Sequence, residues 1–592
     1  MIESQRIRND FFLISDNSKR ELKFMKTRLS AWAAVLIIAA QHVVSADTFD
    51  WPQWQGPDRT ARSKETGLLK EWPKGGPPLA WQIKGLGGGD STPSVAAGRI
   101  YGMSNRGNDE FVWALSAKDG KELWAVRTAP AYTQSWPQSK EGPSATPTVD
   151  GDRLYVMGLA GNVACLQTSD GKVVWQRSLT EDFGGRSPMW SFRESPLVDG
   201  DKVICTPGGE ETTMVALNKR NGETIWKGFV PDRAGGGEMQ NRGPGANGPS
   251  MMQINPVLSS LDKDHNKEIS ADELAAAPTT LLTLDKDQDG KLSEDEVSPQ
   301  RGDGGGQGNR PRPRRGLSVM RMIKALSALD ADENGVIDEA EIKNAVAALQ
   351  KLDVNHDGKL TEEEAGMKYM GPQNTGAAYS SPIAIDFGGQ RQYVQLLAMT
   401  VAGVSAADGK LLWRYDKPAN GMRINISTPI YHDGYVFAKS AYGAGGGLAR
   451  LTKNASGEFA AEEVWFSKSM ENHHGGVILD DGALFGANGG NGGGYLACLD
   501  FKTGEVLWNE GDRDKRRVTK GSVAFADGRI YYRTEEGPIV LIEPSRKEYL
   551  ERGRFNQPGR TDKPAWAHPV IANGKLYIRD QDALFCYDVK AK

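Results

Sequence analysis

Short apolar strands separated by glycine turns recur along most of the chain. Six of them open with Ser, Thr or His followed by proline, at Thr92-Pro93, Thr146-Pro147, Ser195-Pro196, Ser381-Pro382, Thr428-Pro429 and His568-Pro569. Two more, at Gly476-Val477 and Ser522-Val523, lack the proline but precede a similar Asp-Gly turn at the same offset. Glycine permits a tight hairpin, and the alternating apolar residues after it are typical of a second strand. The pattern predicts eight copies of one β-repeat.

A tryptophan signature closes most copies. Five segments read Gly-x-x-x-Trp, and Trp465 is a looser match; the five run from Gly120 to Trp124, Gly171 to Trp175, Gly222 to Trp226, Gly409 to Trp413 and Gly504 to Trp508. An indole placed early in an outer strand can lie on the neighbouring sheet. We interpret these tryptophans as ties between adjacent units rather than as ligand contacts.

The two ends of the repeat region complement each other. The last copy ends at Leu584 to Asp588 without a tryptophan strand, whereas Leu79 to Ile83 precedes the first copy without a unit of its own. Lending the N-terminal strand to the last unit closes a ring and removes exposed sheet edges. We therefore predict a mainly β fold, an eight-bladed β-propeller with about 46 residues and four strands per blade.

The repeat resembles the pyrroloquinoline-quinone-like (PQQ-like) β-propeller family. This family includes the outer-membrane-assembly propeller and the quinoprotein alcohol dehydrogenases. The best copy, Cys498 to Trp508, is close to the family pattern A-x-D-x-x-T-G-x-x-x-W, and the resemblance covers most of residues 79–232 and 375–592. The opening Trp51 to Pro57 is also similar to the start of exported bacterial members. The motif implies a fold more than a function.

One step between copies, from Ser195 to Ser381, is far longer than a blade. The excess predicts a small all-α insertion between blades three and four, with Gly/Pro-rich ends that suit a tether. The predicted organisation is a leader and signal peptide over 1–46, an N-terminal segment over 47–78, blades one to three with the closing strand over 79–234, the insertion over 235–376, and blades four to eight over 377–592.

Four segments of the insertion fit the pattern D-x-[DN]-x-[DN]-G-x-[ILV]-x-x-x-E and resemble EF-hand calcium loops. Positions 1, 3 and 5 supply short oxygen ligands to one hard cation, position 7 supplies a backbone carbonyl, and the glutamate at position 12 supplies both carboxylate oxygens. The predicted ligands are Asp262, Asp264, Asn266, Glu268 and Glu273; Asp285, Asp287, Asp289, Lys291 and Glu296; Asp330, Asp332, Asn334, Val336 and Glu341; and Asp353, Asn355, Asp357, Lys359 and Glu364.

The loops are spaced as two equal pairs, with only 11 residues between the members of each pair. The intervening helices must therefore be short. The apolar residue at position 8 is expected to join paired loops by a short β contact; these residues are Ile269, Leu292, Ile337 and Leu360. Lys267 stands where glycine is wanted for a positive φ, a strain of ~1 kcal/mol, so the first loop should bind calcium most weakly.

Calcium should relieve the repulsion among these carboxylates and order the insertion. Such short hands favour a structural role over a sensor that opens a groove, although Met320, Met322 and Met367 leave the sensor as the alternative. Between the loop pairs, Arg301 to Arg315 is basic and rich in Pro and Gly. We interpret this stretch as a solvated tether, with an anion-binding strip as the alternative.

Composition and charge narrow the function further. A net charge of −4 over 592 residues gives no indication of a nucleic-acid partner. The four cysteines are isolated, so there is no zinc, haem or thiol-redox motif; they are Cys165, Cys205, Cys498 and Cys586. Basic residues at Met25 to Arg28, an apolar run from Leu29 to Ala40 and small residues up to Ala46 are typical of a signal peptide. The run is too short to span a bilayer, so we predict a periplasmic or secreted protein without a transmembrane anchor.

A quinoprotein dehydrogenase would need PQQ at the propeller axis, a bound calcium and an Asp base. The adjacent cysteines common in the alcohol-oxidising branch are absent, and the polar candidates near the axis are generic: Arg193-Glu194, Arg423, Asn425 and Glu471 to His474. We predict a non-enzymatic calcium-binding protein, an EF-hand cluster on a propeller scaffold that acts in binding or assembly with another envelope protein or a polymer ligand. The alternative is a calcium- and PQQ-dependent alcohol dehydrogenase.

Overall fold

The computed structural model describes residues 49–132, 142–231, 251–298, 320, 323–332, 334–353, 357–366, 376–490, 494–509, 520–535, 537–563 and 565–591. The chain divides into two units, Met1–Phe49 and Asp50–Lys592, and the fold below is that of the second. The predicted signal peptide, the basic linker, Asn355, Met322 and Met367 lie outside the described residues. Within the described part, no helix has the length and apolar character needed to cross a membrane.

Eight four-stranded antiparallel sheets form the blades of the predicted propeller. In each sheet the second and third strands are largely buried and the fourth is less buried than they are, as expected when the last strand lies on the outside of the ring. Blades one to four comprise Ser94–Ala96, Arg99–Arg106, Asp109–Ser116 and Glu122–Pro130; Thr148–Asp150, Arg153–Met157, Asn162–Gln167 and Val173–Ser178; Leu197–Asp199, Lys202–Cys205, Met214–Asn218 and Thr224–Gly228; and Ile383–Phe387, Gln390–Leu396, Val401–Ser405 and Leu411–Tyr415.

The second half of the ring repeats this arrangement. Blades five to eight comprise Ile430–His432, Tyr435–Ser440, Gly445–Lys453 and Phe459–Ser467; Val477–Asp480, Ala483–Asn488, Tyr495–Asp500 and Val506–Asn509; Gly521–Ala526, Arg529–Thr534, Ile539–Glu543 and Leu550–Phe555; and Val570–Ala572, Lys575–Asp580, Ala583–Asp588 and Leu79–Ile83. The last strand closes the ring as predicted, with Gln82 opposite Phe585. A short helix, Leu179–Phe183, follows blade two, and a 3-10 turn, Lys468–Met470, follows blade five.

The tryptophans tie neighbouring blades together. The Trp124 indole donates to the Thr168 carbonyl at 3.1 Å and covers Gly171, where a β-carbon would lie 2.6 Å from the ring. Glycine is therefore needed beneath the indole as well as for the turn. The same arrangement recurs at Trp175 with Gly222, Trp226 with Gly409 and Trp465 with Gly504. Trp413 differs, since it packs against blade five but donates to Gln392 of its own blade, in the space that Gly403 leaves open.

The hydroxyl of the Ser/Thr-Pro step joins the innermost strands of adjacent blades. Ser195 Oγ accepts a hydrogen bond from the Thr146 amide, and Ser381 Oγ accepts one from the Ser195 amide, each at 2.9 Å. Thr92 Oγ1 accepts from the His568 amide at 2.9 Å, which makes the same link where blade eight meets blade one. These amides are buried, so each needs the partner that the neighbouring blade provides.

The N-terminal segment 51–63, here called the plug, contacts all eight blades. Its contacts are Trp51 with Val95, Pro52 with Val149, Arg59 with Ser195, Pro196 and Pro382, Trp54 with Thr428 and His568, Arg62 with Leu479, and Ser63 with Phe525. Most of these partners belong to innermost strands or immediately precede them. A segment this short can reach all of them only by lying across the axis.

The insertion has its own apolar core, which includes Val257, Leu281, Leu326 and Leu349. Its helices are short, as the loop spacing predicts; they are Met251–Ile254, Pro256–Leu261, Ala271–Ala275, Ala277–Leu282, Glu294–Val297, Lys324–Leu329, Glu339–Lys343, Ala345–Gln350 and Glu362–Ala365. Two two-residue strands, Glu268–Ile269 and Leu360–Thr361, pair with each other.

Candidate functional site

The four acidic loops of the insertion share one pattern of hydrogen bonds. In the second loop, the Gly290 amide donates to Asp285 Oδ2 at 2.9 Å, and the Lys291 amide donates to Asp289 Oδ1 at 2.9 Å. The Ser293 amide donates to Glu296 Oε2 at 2.8 Å. The other three loops have the corresponding bonds from backbone amides to side-chain oxygens. Given in the same order, the amides of 267, 268 and 270 donate to 262, 266 and 273; those of 335, 336 and 338 donate to 330, 334 and 341; and those of 358, 359 and 361 donate to 353, 357 and 364.

This bonding brings carboxylate oxygens together within the loops. Three groups each have oxygens that lie within 4.8 Å of one another: Asp262, Asp264 and Glu273; Asp285, Asp287 and Asp289; and Asp330, Asp332 and Glu341. Such an oxygen-only donor set suits a hard divalent cation, whose bonds to oxygen are about 2.3–2.6 Å for calcium. In the fourth loop, Asp353, Asp357 and Glu364 keep the shared bonds, while Asn355 lies outside the described residues.

Two of the loop aspartates have buried oxygens without a partner. Asp262 is 1% exposed and Asp330 3% exposed, and in both the Oδ1 atom has no hydrogen bond. Burial raises the pKa of Asp330, and the charges of Glu341 and Asp332 raise it further. A buried carboxylate oxygen that nothing satisfies is costly. A cation held among these oxygens would remove that cost.

The glutamate at position 12 is oriented by the helix that follows each loop. Ser270, Ser293, Asp338 and Thr361 are the N-caps of these helices, and each forms a capping box with the loop glutamate. Burial acts to raise the pKa of Glu273, but hydrogen bonds from Ser270 and Lys263 outweigh it and lower that pKa. The capping boxes therefore position all four glutamates, and hydrogen bonds also lower the pKa of Glu296. The S/T/D-x-x-E pattern carries this information, although the prediction of the metal ligands did not use it.

Position 6 needs a left-handed backbone in every loop. Its φ is 83° at Gly290, 85° at Gly335, 81° at Gly358 and 71° at Lys267. A residue with a β-carbon is strained at such angles, whereas glycine is not. The geometry confirms the reason given for the weakness of the first loop, while the order of affinities stays a prediction.

The β contacts between loops differ from the expected ones. Leu292 of the second loop exchanges backbone hydrogen bonds of 2.9 and 3.0 Å with Ile337 of the third. Ile269 of the first loop lies opposite Leu360 of the fourth. Position 8 does form a β contact, as predicted, but the prediction that it joins the two loops of each closely spaced pair is wrong.

The short connection within each closely spaced pair of loops explains why the β contacts form between pairs. Helices Ala271–Ala275 and Ala277–Leu282 follow each other with only Ala276 between them, so the first and second loops stand at opposite ends of one bent rod. Eleven residues separate the two loops and would extend about 16 Å as a helix, whereas paired strands lie about 4.8 Å apart. Helices Glu339–Lys343 and Ala345–Gln350 form the second rod, which packs antiparallel on the first and brings loops from different rods together.

The polar residues predicted near the propeller axis are bound to the protein itself. Asn425 donates to the Leu397 and Ala398 carbonyls and accepts from the Asn420 amide. Asn472 donates to the Gly476 and Ala487 carbonyls and accepts from the Gly475 amide. Glu194 accepts from the Thr206 amide and Gln395, and burial raises its pKa to about 7. The polar groups of these residues are used in hydrogen bonds that hold nearby segments of the protein, so they do not fit a set of groups that would bind a quinone.

The remaining predicted groups, Arg193, Arg423 and Glu471, are also bonded: Arg193 donates to the Trp190 carbonyl at 2.6 Å, Arg423 lies at a positive φ of 59° with its amide bonded to Asn420, and the Glu471 carboxylate accepts from Gly443. They form no common ligand set. Each belongs to the loop that precedes its own blade.

The histidines before blade six face different partners. The rings of His473 and His474 are perpendicular, with centroids 3.8 Å apart, and His473 Nε2 lies 3.2 Å from the Tyr442 hydroxyl. His474 stacks on Trp566, and its carbonyl pairs with His568 Nε2 at 2.8 Å. Burial lowers the pKa of His473 to about 3 and that of His568 to about 4, so both are neutral. The sequence places His568 in the His568-Pro569 step of the repeat, and it was not predicted to lie near the axis.

Lys439 is a second axial residue that sequence reasoning missed. It is 2% exposed, it donates to Ser427 Oγ at 2.9 Å, and burial lowers its pKa to about 7. It lies in an ordinary strand pattern, so no local signal could have singled it out. The four cysteines are buried and unpaired, as expected for core residues.

Comparison with known protein families gives one match that covers more than half of the chain. The family is described as outer membrane protein assembly factor BamB, and it matches residues 108–236, 327–510 and 492–589. The matched ranges include blades on both sides of the insertion.

Among individual proteins, BamB of Escherichia coli K12 is 36% identical over 107 residues, which are 17% of this chain and 26% of that protein. Quinohemoprotein alcohol dehydrogenase ADH IIB of Pseudomonas putida is 26% identical over 158 residues, 26% of this chain and 22% of that protein. The chain thus matches about a quarter of the length of these curated relatives. The crystal structure of BamB from Moraxella catarrhalis is 12% identical, with 87% of this chain and 98% of that chain covered and a TM-score of 0.44.

Proposed function

The chain belongs to the family described as outer membrane protein assembly factor BamB, and from that premise we propose that it is an exported, calcium-binding propeller scaffold. In this proposal it acts in binding or assembly in the cell envelope, and it does not catalyse a reaction. The propeller supplies the rigid surface, and the insertion supplies EF-hand calcium sites.

The observation that carries the calcium proposal is the pair of buried, unpartnered oxygens on Asp262 and Asp330. Both stand at position 1 of a loop, beside a second aspartate and the position-12 glutamate. Calcium is the cation of choice, since the ligands are all oxygens and the glutamate at position 12 presents its carboxylate to the loop. Exported proteins meet abundant calcium, so even sites with a Kd of ~10⁻⁴ M would remain filled.

The proposed scaffold role is supported by the family and by the contacts that residues near the propeller axis make. The plug contacts the innermost strands, or the residues just before them, in all eight blades, and the polar residues expected near a cofactor are hydrogen-bonded within the protein. A protein that bears the name of an assembly factor is among the relatives. The signal-peptide pattern before Asp47 supports export, and the partner is proposed to be another envelope protein or a polymer.

Calorimetric titration of the mature chain, residues 47–592, with calcium tests this proposal. We expect heat from several sites together with a gain of helical circular dichroism, because the cation relieves repulsion within the loops. Glu296→Gln should remove about one equivalent of bound calcium, because an amide cannot supply two anionic oxygens. Glu294→Gln, two residues away and outside the predicted ligand set, is the matched control.

Absence of calcium heat in the mature chain would overturn the proposal. A second titration with PQQ in the presence of calcium tests the non-catalytic part. Saturable quinone binding at the axis would move the assignment to a dehydrogenase, whereas no quinone heat supports the scaffold. Protein loaded with calcium should keep the same near-ultraviolet circular dichroism spectrum when PQQ is added.

A further inference from the structure

The β contacts of the insertion link loops from different rods. Leu292 and Ile337 are both fully buried, and each donates its amide to the other's carbonyl. Each follows position 7 of its loop, whose carbonyl is a predicted calcium ligand. A cation that fixes one position-7 carbonyl therefore also fixes the strand from which the partner loop takes its hydrogen bonds.

The other pair of loops is joined in the same way and by one further contact. Ile269 lies opposite Leu360, and next to them Lys359 Nζ lies 3.0 Å from Glu268 Oε2. This ion pair joins the two position-7 residues themselves. It is exposed, so it contributes little to stability, but it marks the first and fourth loops as partners.

The two loops of one rod have no such connection in the described residues. A bent helical rod of about 16 Å separates the first loop from the second, and an equivalent rod separates the third from the fourth. Sites within one rod share a helix but no strand. Coupling free energy between sites needs an element whose state both sites influence, and here that element is the two-stranded contact.

We propose that calcium binding is coupled crosswise, the second site with the third and the first with the fourth, and that calcium thereby clamps the two rods together. This inference rests on the proposed calcium-binding function. It pairs each site with a site on the other rod, whereas the spacing of the loops along the chain would pair the two sites of one rod. It gives two coupled pairs of sites, each of which takes one site from either rod.

Terbium luminescence in the full mature chain reports on one site at a time. Tb³⁺ is a hard cation that takes oxygen ligands, as calcium does, and it emits strongly only when an indole lies close by. The insertion contains none of the 15 tryptophans. Val336→Trp therefore places a single antenna at position 7 of the third loop, and the same chain with Val336 gives the background.

Three matched variants are then added to Val336→Trp, each of which removes the position-12 carboxylate of another loop. Glu296→Gln in the second loop should raise the Tb³⁺ midpoint at the third site by about fivefold or more, the lower end of typical coupling. Glu364→Gln in the fourth loop and Glu273→Gln in the first should leave that midpoint within about twofold, an effect expected for unlinked sites. Displacement of Tb³⁺ by calcium should show the same order.

The outcomes separate this inference from the proposed function. If Glu364→Gln shifts the midpoint and Glu296→Gln does not, the two loops of one rod are coupled and the crosswise assignment is wrong. If Tb³⁺ binds but neither variant shifts it, the sites are independent and the clamp is excluded, while calcium binding stands. If Val336→Trp gives no emission above the background at any Tb³⁺ concentration, the proposed calcium binding itself fails.

Discussion

Single side chains show most clearly which parts of this molecule a sequence reveals. The loop carboxylates could be predicted, because a cation fixes both their chemistry and their spacing along the chain. Lys439, His568 and Glu110 could not, because their importance comes from burial that is set by distant blades. The orphaned oxygens of Asp262 and Asp330 lie between these cases, since their identity was predictable and their burial was not.

Glu110 illustrates a buried group whose charge state should affect stability. It is 2% exposed, and its carboxylate accepts one hydrogen bond, from the Leu159 amide at 3.2 Å. Burial raises its pKa to about 7, against a usual value of 4.5. The folded state therefore holds a proton that the unfolded state releases at lower pH, so stability falls as the pH rises from about 4.5 through 7.

Glu110→Gln should therefore stabilise the protein at pH 8 by up to about 3 kcal/mol and by much less at pH 5. Denaturant unfolding of both proteins at the two pH values measures this difference, and titrations elsewhere in the chain cancel between them. Glu223→Gln, at an exposed position, should show no such pH dependence. An equal effect of Glu110→Gln at pH 5 and pH 8 would contradict a buried, protonated Glu110.

At the scale of elements, repeated patterns predicted the blades well and the contacts between loops poorly. The Gly-x-x-x-Trp pattern carries its own geometry, because the glycine and the tryptophan of adjacent copies meet face to face. The loop spacing, in contrast, gives distances along the chain but no information on which strand lies beside which. Only the length of the intervening rod excludes the two loops of one rod as partners, and that argument needs the helices on either side of Ala276 to extend in much the same direction.

The Ser/Thr-Pro step offers a test of how blades are held together. Ser381→Ala removes the acceptor of the buried Ser195 amide, a bond of 2.9 Å between blades three and four. A buried donor left without a partner costs about 1–3 kcal/mol, so we expect a loss of about 2 kcal/mol in the free energy of unfolding.

Ser381→Thr should retain most of the stability, because other copies use threonine for the same bond, as Thr92 does. Ser169→Ala, at an exposed turn, should change stability by less than about 0.5 kcal/mol. Thermal and urea unfolding in saturating calcium compare the three variants. If Ser381→Ala is as mild as Ser169→Ala, the hydroxyl is not a link between blades.

At the scale of the whole molecule, closure depends on both ends of the ring and on the plug. The closing strand could be predicted, because a missing strand at one end and a spare strand at the other are visible in the sequence. The plug could not, since residues 51–63 have no repeat pattern and their partners are spread over the entire chain. Its central residue is Arg59, which is 4% exposed and bonds to carbonyls of blades three and four.

Arg59 bonds the plug to blades three and four. Its guanidinium donates to the Ser195, Pro196 and Pro382 carbonyls and to Gln53, and it lies near the buried Glu194. Arg59→Met keeps much of the length and removes every donor, leaving buried carbonyls without partners. Since hydrogen bonds from charged groups contribute about 1.5–3 kcal/mol each, we expect unfolding to become easier by about 3 kcal/mol or more.

Lys64→Met is the control, because Lys64 pairs with Asp58 at an exposed position just outside the plug and should change little. Limited proteolysis separates the two ways in which the Arg59 variant can fail. If the plug detaches while the blades stay closed, cleavage should appear first within residues 51–63 and the unfolding midpoint of the remainder should be nearly unchanged. If the plug holds the ring, cleavage and loss of stability should occur together across blades three and four, which is the result that these contacts predict.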